Sequence, residues 1–167
     1  VRGQTAGGFI DLRWQLAPRS SATAAVRAEQ TRYRYDNLMI DGNTDETGQP
    51  CAFGGCLFSR PADRSDRFDN VSPRAEVAFA PDARQRYYLS AGRGFRPPET
   101  TELYRLQRQQ SRAALDSENL DSIELGWSGQ WRALRADVAA FSMRKRGVII
   151  RDSNGFNIGD GRTTHAG

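Results

Sequence analysis

Two cysteines with four residues between them, Cys51 and Cys56, are the only thiols in the sequence, and His165 is the only histidine. A zinc site draws on about four nitrogen or sulfur ligands, and no His or further Cys stands near this pair. A thiol-redox motif has two intervening residues rather than four. Two readings remain, a small local disulfide in a loop or a pair of free thiols. The disulfide would imply an oxidising compartment such as a periplasm or a cell surface. An enzyme needs a nucleophile and base, or a cluster of metal ligands. With one His and no such cluster, catalysis, a resident metal and a cofactor are not expected. Gly92-Arg93-Gly94 lacks the third glycine of a dinucleotide fingerprint.

The chain has 167 residues, 38% of them hydrophobic and 26% charged, with a formal charge of +4. Its mean hydropathy is −0.69. The basic residues are arginines except for Lys145, and they are interleaved with Asp and Glu. That interleaving argues against a nucleic-acid footprint, which gathers basic residues on one surface. No apolar run approaches the ~18 residues of a membrane helix. Barrel strands escape such a scan because only alternate residues need be apolar.

Period-two alternation dominates the sequence and predicts strands. Ile10, Leu12, Trp14 and Leu16 share one face, opposite Asp11, Arg13 and Gln15. Ala22, Ala24, Val26 and Ala28 oppose Thr23, Arg27 and Glu29. Val71, Ala75, Val77 and Phe79 oppose Arg74 and Glu76. Tyr87, Leu89 and Ala91 oppose Tyr88, Ser90 and Gly92. Ile123, Leu125 and Trp127 oppose Ser122, Glu124 and Ser128, and Leu134, Ala136, Val138 and Ala140 oppose Arg135 and Asp137. A seventh strand is expected to start near Phe156. Thr100 to Ala114 has helix-forming composition with Leu103, Leu106 and Gln110 at helical spacing, but the apolar face is thin. A loop with one helical turn is expected there.

Tight connections are expected at 17–20, 81–84 and 130–132, and long polar ones at 37–66 and 96–119. Alternating short and long connections characterise outer-membrane barrels, with short turns on the periplasmic side. The first strand would then descend to the periplasm, the second would rise, and the cysteine segment would face the exterior. Trp14, Tyr87, Trp127 and Trp131 lie near the short turns, where barrels carry aromatic girdles. The apolar faces are rich in Ala and would fill a sandwich core poorly, whereas lipid demands no interlocking fit. The charged face, with Arg27, Glu29, Arg74, Glu76, Glu124, Arg135 and Asp137, would line a polar lumen, its opposite charges pairing across strands.

Four stretches carry a resemblance. They are Asn70-Val71-Ser72-Pro73-Arg74; Gly92-Arg93-Gly94-Phe95-Arg96-Pro97-Pro98-Glu99 running on to Glu102-Leu103-Tyr104; Leu115-Asp116-Ser117-Glu118-Asn119-Leu120 followed by Ser122-Ile123-Glu124-Leu125-Gly126; and Asn157-Ile158-Gly159 with Thr164-His165-Ala166-Gly167. In this order they resemble the barrel of TonB-dependent receptors over about residues 67–167. Residues 1–66 fit by pattern only. Pro97-Pro98 stands where Ala-Pro is more usual.

The resemblance implies an all-β fold, an antiparallel up-and-down transmembrane barrel segment of about seven strands, open and curved in isolation. Such barrels have about 22 strands around a plug, so residues 1–167 are expected to be part of one barrel domain cut at both ends. It also implies the outer membrane of a Gram-negative bacterium, contact with lipid, a plug domain and TonB as partners, and import of a large scarce nutrient such as a ferric siderophore. Two alternatives remain: a passive or structural outer-membrane barrel, and a soluble antiparallel ligand-binding domain. Arg96, Glu99, Glu102, Tyr104 and Glu118 would stand near the outer rim. They would latch loops or touch a metal chelate, or else only hold the loop through hydrogen bonds and ion pairs. Gly92 and Gly94 would leave room on the lumen side.

Overall fold

The computed structural model describes residues 1–38, 49, 58–59, 61–107, 110 and 112–167. The cysteine pair of the sequence reading, Cys51 and Cys56, lies outside them. Seven long strands build one antiparallel sheet: β1 (Arg2–Ala17), β2 (Ser20–Tyr35), β4 (Arg64–Asp82), β5 (Gln85–Arg96), β7 (Glu118–Trp131), β8 (Leu134–Arg151) and β9 (Asn157–Ala166). They lie side by side in chain order, β1-β2-β4-β5-β7-β8-β9. Two short strands, β3 (Phe58–Ser59) and β6 (Leu106–Gln107), pair with each other, and one helix, α1 (Thr100–Tyr104), precedes β6. No helix among the described residues is long and apolar enough to cross a membrane.

Three strand pairs are joined by two-residue turns, at 18–19, 83–84 and 132–133. The third falls slightly later than the sequence suggests, because Trp131 stays in the ladder opposite Leu134. Arg132 takes φ 48° there, the left-handed conformation that such a tight turn imposes. The other ends of these hairpins carry the long connections 36–63 and 97–117.

The register brings the apolar positions of successive strands together. Leu12 faces Ala24, Ala24 faces Ala75, Ala75 faces Ala91, and Ala91 faces Ile123. Val77, Leu89, Leu125 and Ala140 form a second such row. One apolar face therefore runs unbroken from β1 to β8, with no second layer over it among the described residues. Leu12 is 50% exposed, Val77 51%, Leu125 60% and Val138 63%. Those values exclude a sandwich, in which such side chains would be covered. Trp14, Phe79, Tyr87 and Trp131 sit on this face close to the turns and are also half exposed. The rings of Trp127 and Trp131 lie 5.5 Å apart.

Each hairpin also overshoots the one before it. Ser20 pairs with Phe79, yet β4 continues to Asp82, and Gln85 pairs with Gly129, yet β7 continues to Trp131. This progressive stagger is the shear that tilted barrel strands require.

Candidate functional site

The core of the described residues lies at the loop end of the polar face. Tyr35, Phe68, Leu103, Tyr104, Leu106, Ala113 and Leu115 are buried together. Tyr35 and Phe68 share the polar-face phase of β2 and β4 with Glu29 and Arg74. The described residues of 97–117 therefore fold back over the polar face of the sheet and bring their own apolar side chains. Leu103, Leu106 and Gln110 are all buried, although the helix ends at Tyr104 and the chain continues as β6.

One arginine fixes where this segment begins and ends. Arg96, the last residue of β5, pairs directly with Glu118, the first of β7. Its guanidinium donates to both Glu118 carboxylate oxygens, Nε to Oε2 at 2.9 Å and Nη2 to Oε1 at 3.0 Å. It also donates to both Glu102 oxygens, at 3.2 and 2.9 Å. Glu118 is 2% exposed and takes two further donors, Lys145 Nζ at 2.7 Å and the Ile149 N–H at 2.8 Å. Gly147, at φ 67°, sits where β8 slips its register against β9. A bulge of this kind re-aims the following backbone, and Ile149 is the residue turned toward Glu118.

Hydrogen bonding from Arg96, then from Lys145 and Ile149, holds the Glu118 carboxyl down to about 2 against the opposing effect of burial. Arg96 is raised by Glu118 first and Glu102 second. Both residues lie three positions past Arg93 and Asp121, where the apolar face has already given way to charge.

A second set of contacts holds α1. Tyr104 stacks on Tyr35 with ring centroids 4.6 Å apart. Its hydroxyl donates to Asp66 Oδ2 at 2.9 Å, and Asp66 is also paired with Arg64. Burial, then the Asp66 hydrogen bond, pushes the Tyr104 phenol above its ordinary range. Asn157 donates to the Glu102 carbonyl at 2.9 Å and exchanges two hydrogen bonds with Gln110. Glu99 closes the first helical turn through its N–H to Glu102 Oε2 at 2.7 Å, and its carboxylate reaches Arg96 only at 3.5 Å.

Of the five residues the sequence reading named, the structure brings Arg96, Glu99, Glu102 and Glu118 into one knot, while Tyr104 is held separately by Asp66 and Tyr35. The sequence reading missed Lys145, Asp66, Asn157 and Tyr35. Lys145 carried one available signal, as the sole lysine in an arginine-rich chain and on the polar phase of β8.

The other seven charges lie on the polar face away from the knot. Glu76 takes Arg86 from the neighbouring strand at 2.5 Å, and Glu124 accepts from the Tyr88 hydroxyl at 2.6 Å. Arg27 with Glu29, Arg74 with Glu76 and Arg135 with Asp137 pair along a single strand instead. Residues two apart share a face, within reach of an arginine stem. A Cβ at Gly94 would meet nothing within 4 Å, whereas one at Gly92 would touch Pro73 and Arg74. Gly126 lies beneath the Tyr88 ring, where a Cβ would overlap the ring carbons. No group of three His, Cys, Asp or Glu among the described residues is arranged to hold a metal ion.

A staggered open sheet, uncovered on its apolar face and carrying a folded loop on its polar face, is a barrel wall. Residues 1–167 match the family model described as "TonB dependent receptor-like, beta-barrel". The chain belongs to the TonB-dependent receptor β-barrel family.

The match extends over residues 1–66, which the sequence reading fitted only by pattern. Among solved structures, the copper transporter OprC is similar at 14% identity and a TM-score of 0.68, covering 98% of this chain and 24% of its own. The ferric-catecholate import receptor Fiu from K12 E. coli, in its closed form, is similar at 15% identity and a TM-score of 0.69, covering 97% and 24%. A double mutant of the Serratia marcescens hemophore receptor HasR, in complex with its hemophore HasA and heme, is similar at 21% identity and a TM-score of 0.64, covering 98% and 30%. At these identities the likeness is one of fold, and the chain spans between 24% and 30% of the length of these three proteins. No curated protein matches the sequence.

Proposed function

We propose that this chain is part of the wall of a TonB-dependent transporter in the outer membrane of a Gram-negative bacterium. The transporter imports a scarce, metal-bearing nutrient, a ferric siderophore or a similar chelate. The observation that carries this reading is the pairing of an uncovered apolar face with a charged face onto which the segment 97–117 folds. A soluble sheet would turn its apolar face inward. A lipid-facing barrel reverses that arrangement and lines a wet interior with polar side chains.

On this reading Arg27, Glu29, Arg74, Glu76, Glu124, Arg135 and Asp137 line the lumen, where a plug domain of the same receptor would lie and where TonB would act on it. Arg96, Glu102, Tyr104 and Glu118 latch an outer loop rather than contact cargo, because each already has partners within the chain. Glu99 also touches Arg96, but it is the most exposed of the five and its carboxylate is the most accessible to a ligand. Support for a metal-bearing cargo comes from the three similar structures, whose names specify copper, ferric catecholate and heme.

The test is uptake by cells carrying the full gene product, offered iron-55 as catecholate and hydroxamate chelates, heme, copper and cobalamin in turn. The expected result is saturable accumulation of one metal-bearing cargo that stops when the proton gradient is dissipated. Accumulation of none, or uptake indifferent to the gradient, would move the chain to the passive or structural barrels.

A further inference from the structure

Above the apolar band, the outward face of β1, β2 and β4 changes character within two residues. Past Ala28 and Val71, the outward positions are Gln30 opposite Asp69, then Arg32 opposite Arg67, then Arg34 opposite Ser65. On β1, Gln4 faces Arg32 and Arg2 faces Arg34. Two pairs of arginines thus stand directly across from one another, Arg2 with Arg34 and Arg32 with Arg67. Like charges in that position destabilise a sheet. These four arginines, with Gln4, Tyr33, Ser65 and Asp66, line an open groove of about 480 Å³, and Asp66 is itself paired with Arg64.

Among the described residues, carboxylates form ion pairs with two of these four arginines. Arg67 pairs with Asp69 at 2.7 Å and Arg34 with Asp36 at 3.3 Å. Arg2 and Arg32 have no carboxylate partner within 4.0 Å among the described residues. Elsewhere on the same border Asp121 is shared by Arg93 and Arg146, so an anion from the chain is already in place there.

We propose that this groove binds the phosphate of a phosphorylated lipid headgroup in the leaflet nearest the long connections. Depth selects the lipid over a free anion. From Ala28 to Arg32 is roughly 13 Å of strand at about 3.3 Å per residue, less when the strand is tilted. A lipid whose chains lie against Ile10, Val26 and Val71 carries its headgroup phosphate to that level. Guanidinium groups engage phosphate through paired N–H donors, and such an anion relieves both arginine–arginine contacts. The inference rests on the proposed lipid-facing orientation, which outer-membrane fractionation of the full gene product tests separately.

The binding test uses the full gene product in maltoside micelles, titrated with dihexanoyl phosphatidate, with dihexanoyl glycerol and with inorganic phosphate, and read by native mass spectrometry. Phosphatidate is expected to bind stoichiometrically, and Arg32→Gln with Arg67→Gln to weaken it by about tenfold or more. Arg32→Lys with Arg67→Lys, which keeps both charges, is expected to retain part of the affinity. Heat-modifiable mobility on gels shows that each variant is folded. Equal binding of dihexanoyl glycerol, equal affinity for inorganic phosphate, or an unchanged affinity in the folded Gln variant would each overturn the proposal.

Discussion

Glu118 is the residue on which the loop's attachment turns. It is buried, carries one negative charge, and receives Arg96, Lys145 and a backbone N–H. Glu118→Gln keeps the shape and removes the charge, so two cations lose their shared partner. The expected cost is about 1–3 kcal/mol of loop attachment, read as faster trypsin cleavage at Arg105 in the full receptor. Glu99→Gln is the control. Its long contact to Arg96 and its exposure predict a change within about 0.5 kcal/mol, and equal cleavage in both variants would contradict the assignment. The pH dependence has a definite sign. The folded carboxyl sits at about 2, below its ordinary value of 4.5, so the contribution is complete above 4.5 and disappears as pH falls through about 2. Amide exchange in 97–117, corrected for intrinsic rates, should therefore hold its protection at pH 4 and lose it toward pH 2 in the wild type, while Glu118→Gln shows no such step.

Among the elements, β4 and β7 show what alternation can and cannot reveal. Val77 and Leu125 were assignable to one face because side-chain direction in a strand is a local property with period two. The segment from Val71 to Phe79 holds about nine residues, close to the ~9–11 that a tilted strand needs to cross a bilayer. Val77→Arg or Leu125→Arg should cost roughly 2–4 kcal/mol near the middle of that band, lowering the folded fraction in lipid bilayers judged by heat-modifiable mobility. Ser90→Arg, in the adjacent row between Glu76 and Glu124 on the polar face, should fold like the wild type, and equal impairment of both would show the faces to be misassigned. The extra length of β2 and β4, which run on to Tyr35 and back from Arg64, was not legible. Arg32, Arg34 and Arg67 break the apolar pattern while the backbone ladder continues. β3 and β6 were equally hidden, since two residues carry no periodicity. The helical spacing of Leu103, Leu106 and Gln110 suggested only one helical turn; their burial was not legible, because Leu103 and Leu106 pack with Tyr35 and Phe68 and Gln110 bonds Asn157, all distant in sequence. The knot was half visible for the same reason. Arg96, Glu102 and Glu118 stand out as charges flanking a proline break, whereas Lys145 and Ile149 reach Glu118 only through the register of β7 on β8 and the bulge at Gly147.

At the scale of the molecule, the sheet has two ladders without neighbours, the outer edges of β1 and β9. It also presents an apolar face that none of the described residues covers. Ile10, Leu12, Val77, Leu89, Ile123, Leu125 and Val138 are each more than 40% exposed. Covering them is worth on the order of 10 kcal/mol in total, and water offers no means of covering them except association with other copies. Open edges supply the geometry for that association. The one buried cluster among the described residues, around Leu103 and Tyr104, lies at one end of the opposite face and holds the loop rather than the sheet. Residues 1–167 expressed alone in water are therefore expected to aggregate, and to recover β-rich circular dichroism only when detergent is added. Sedimentation in buffer and in detergent checks this directly. A soluble monodisperse monomer in plain buffer would mean that the apolar face had found cover within the chain, and the barrel-wall orientation would fall with it.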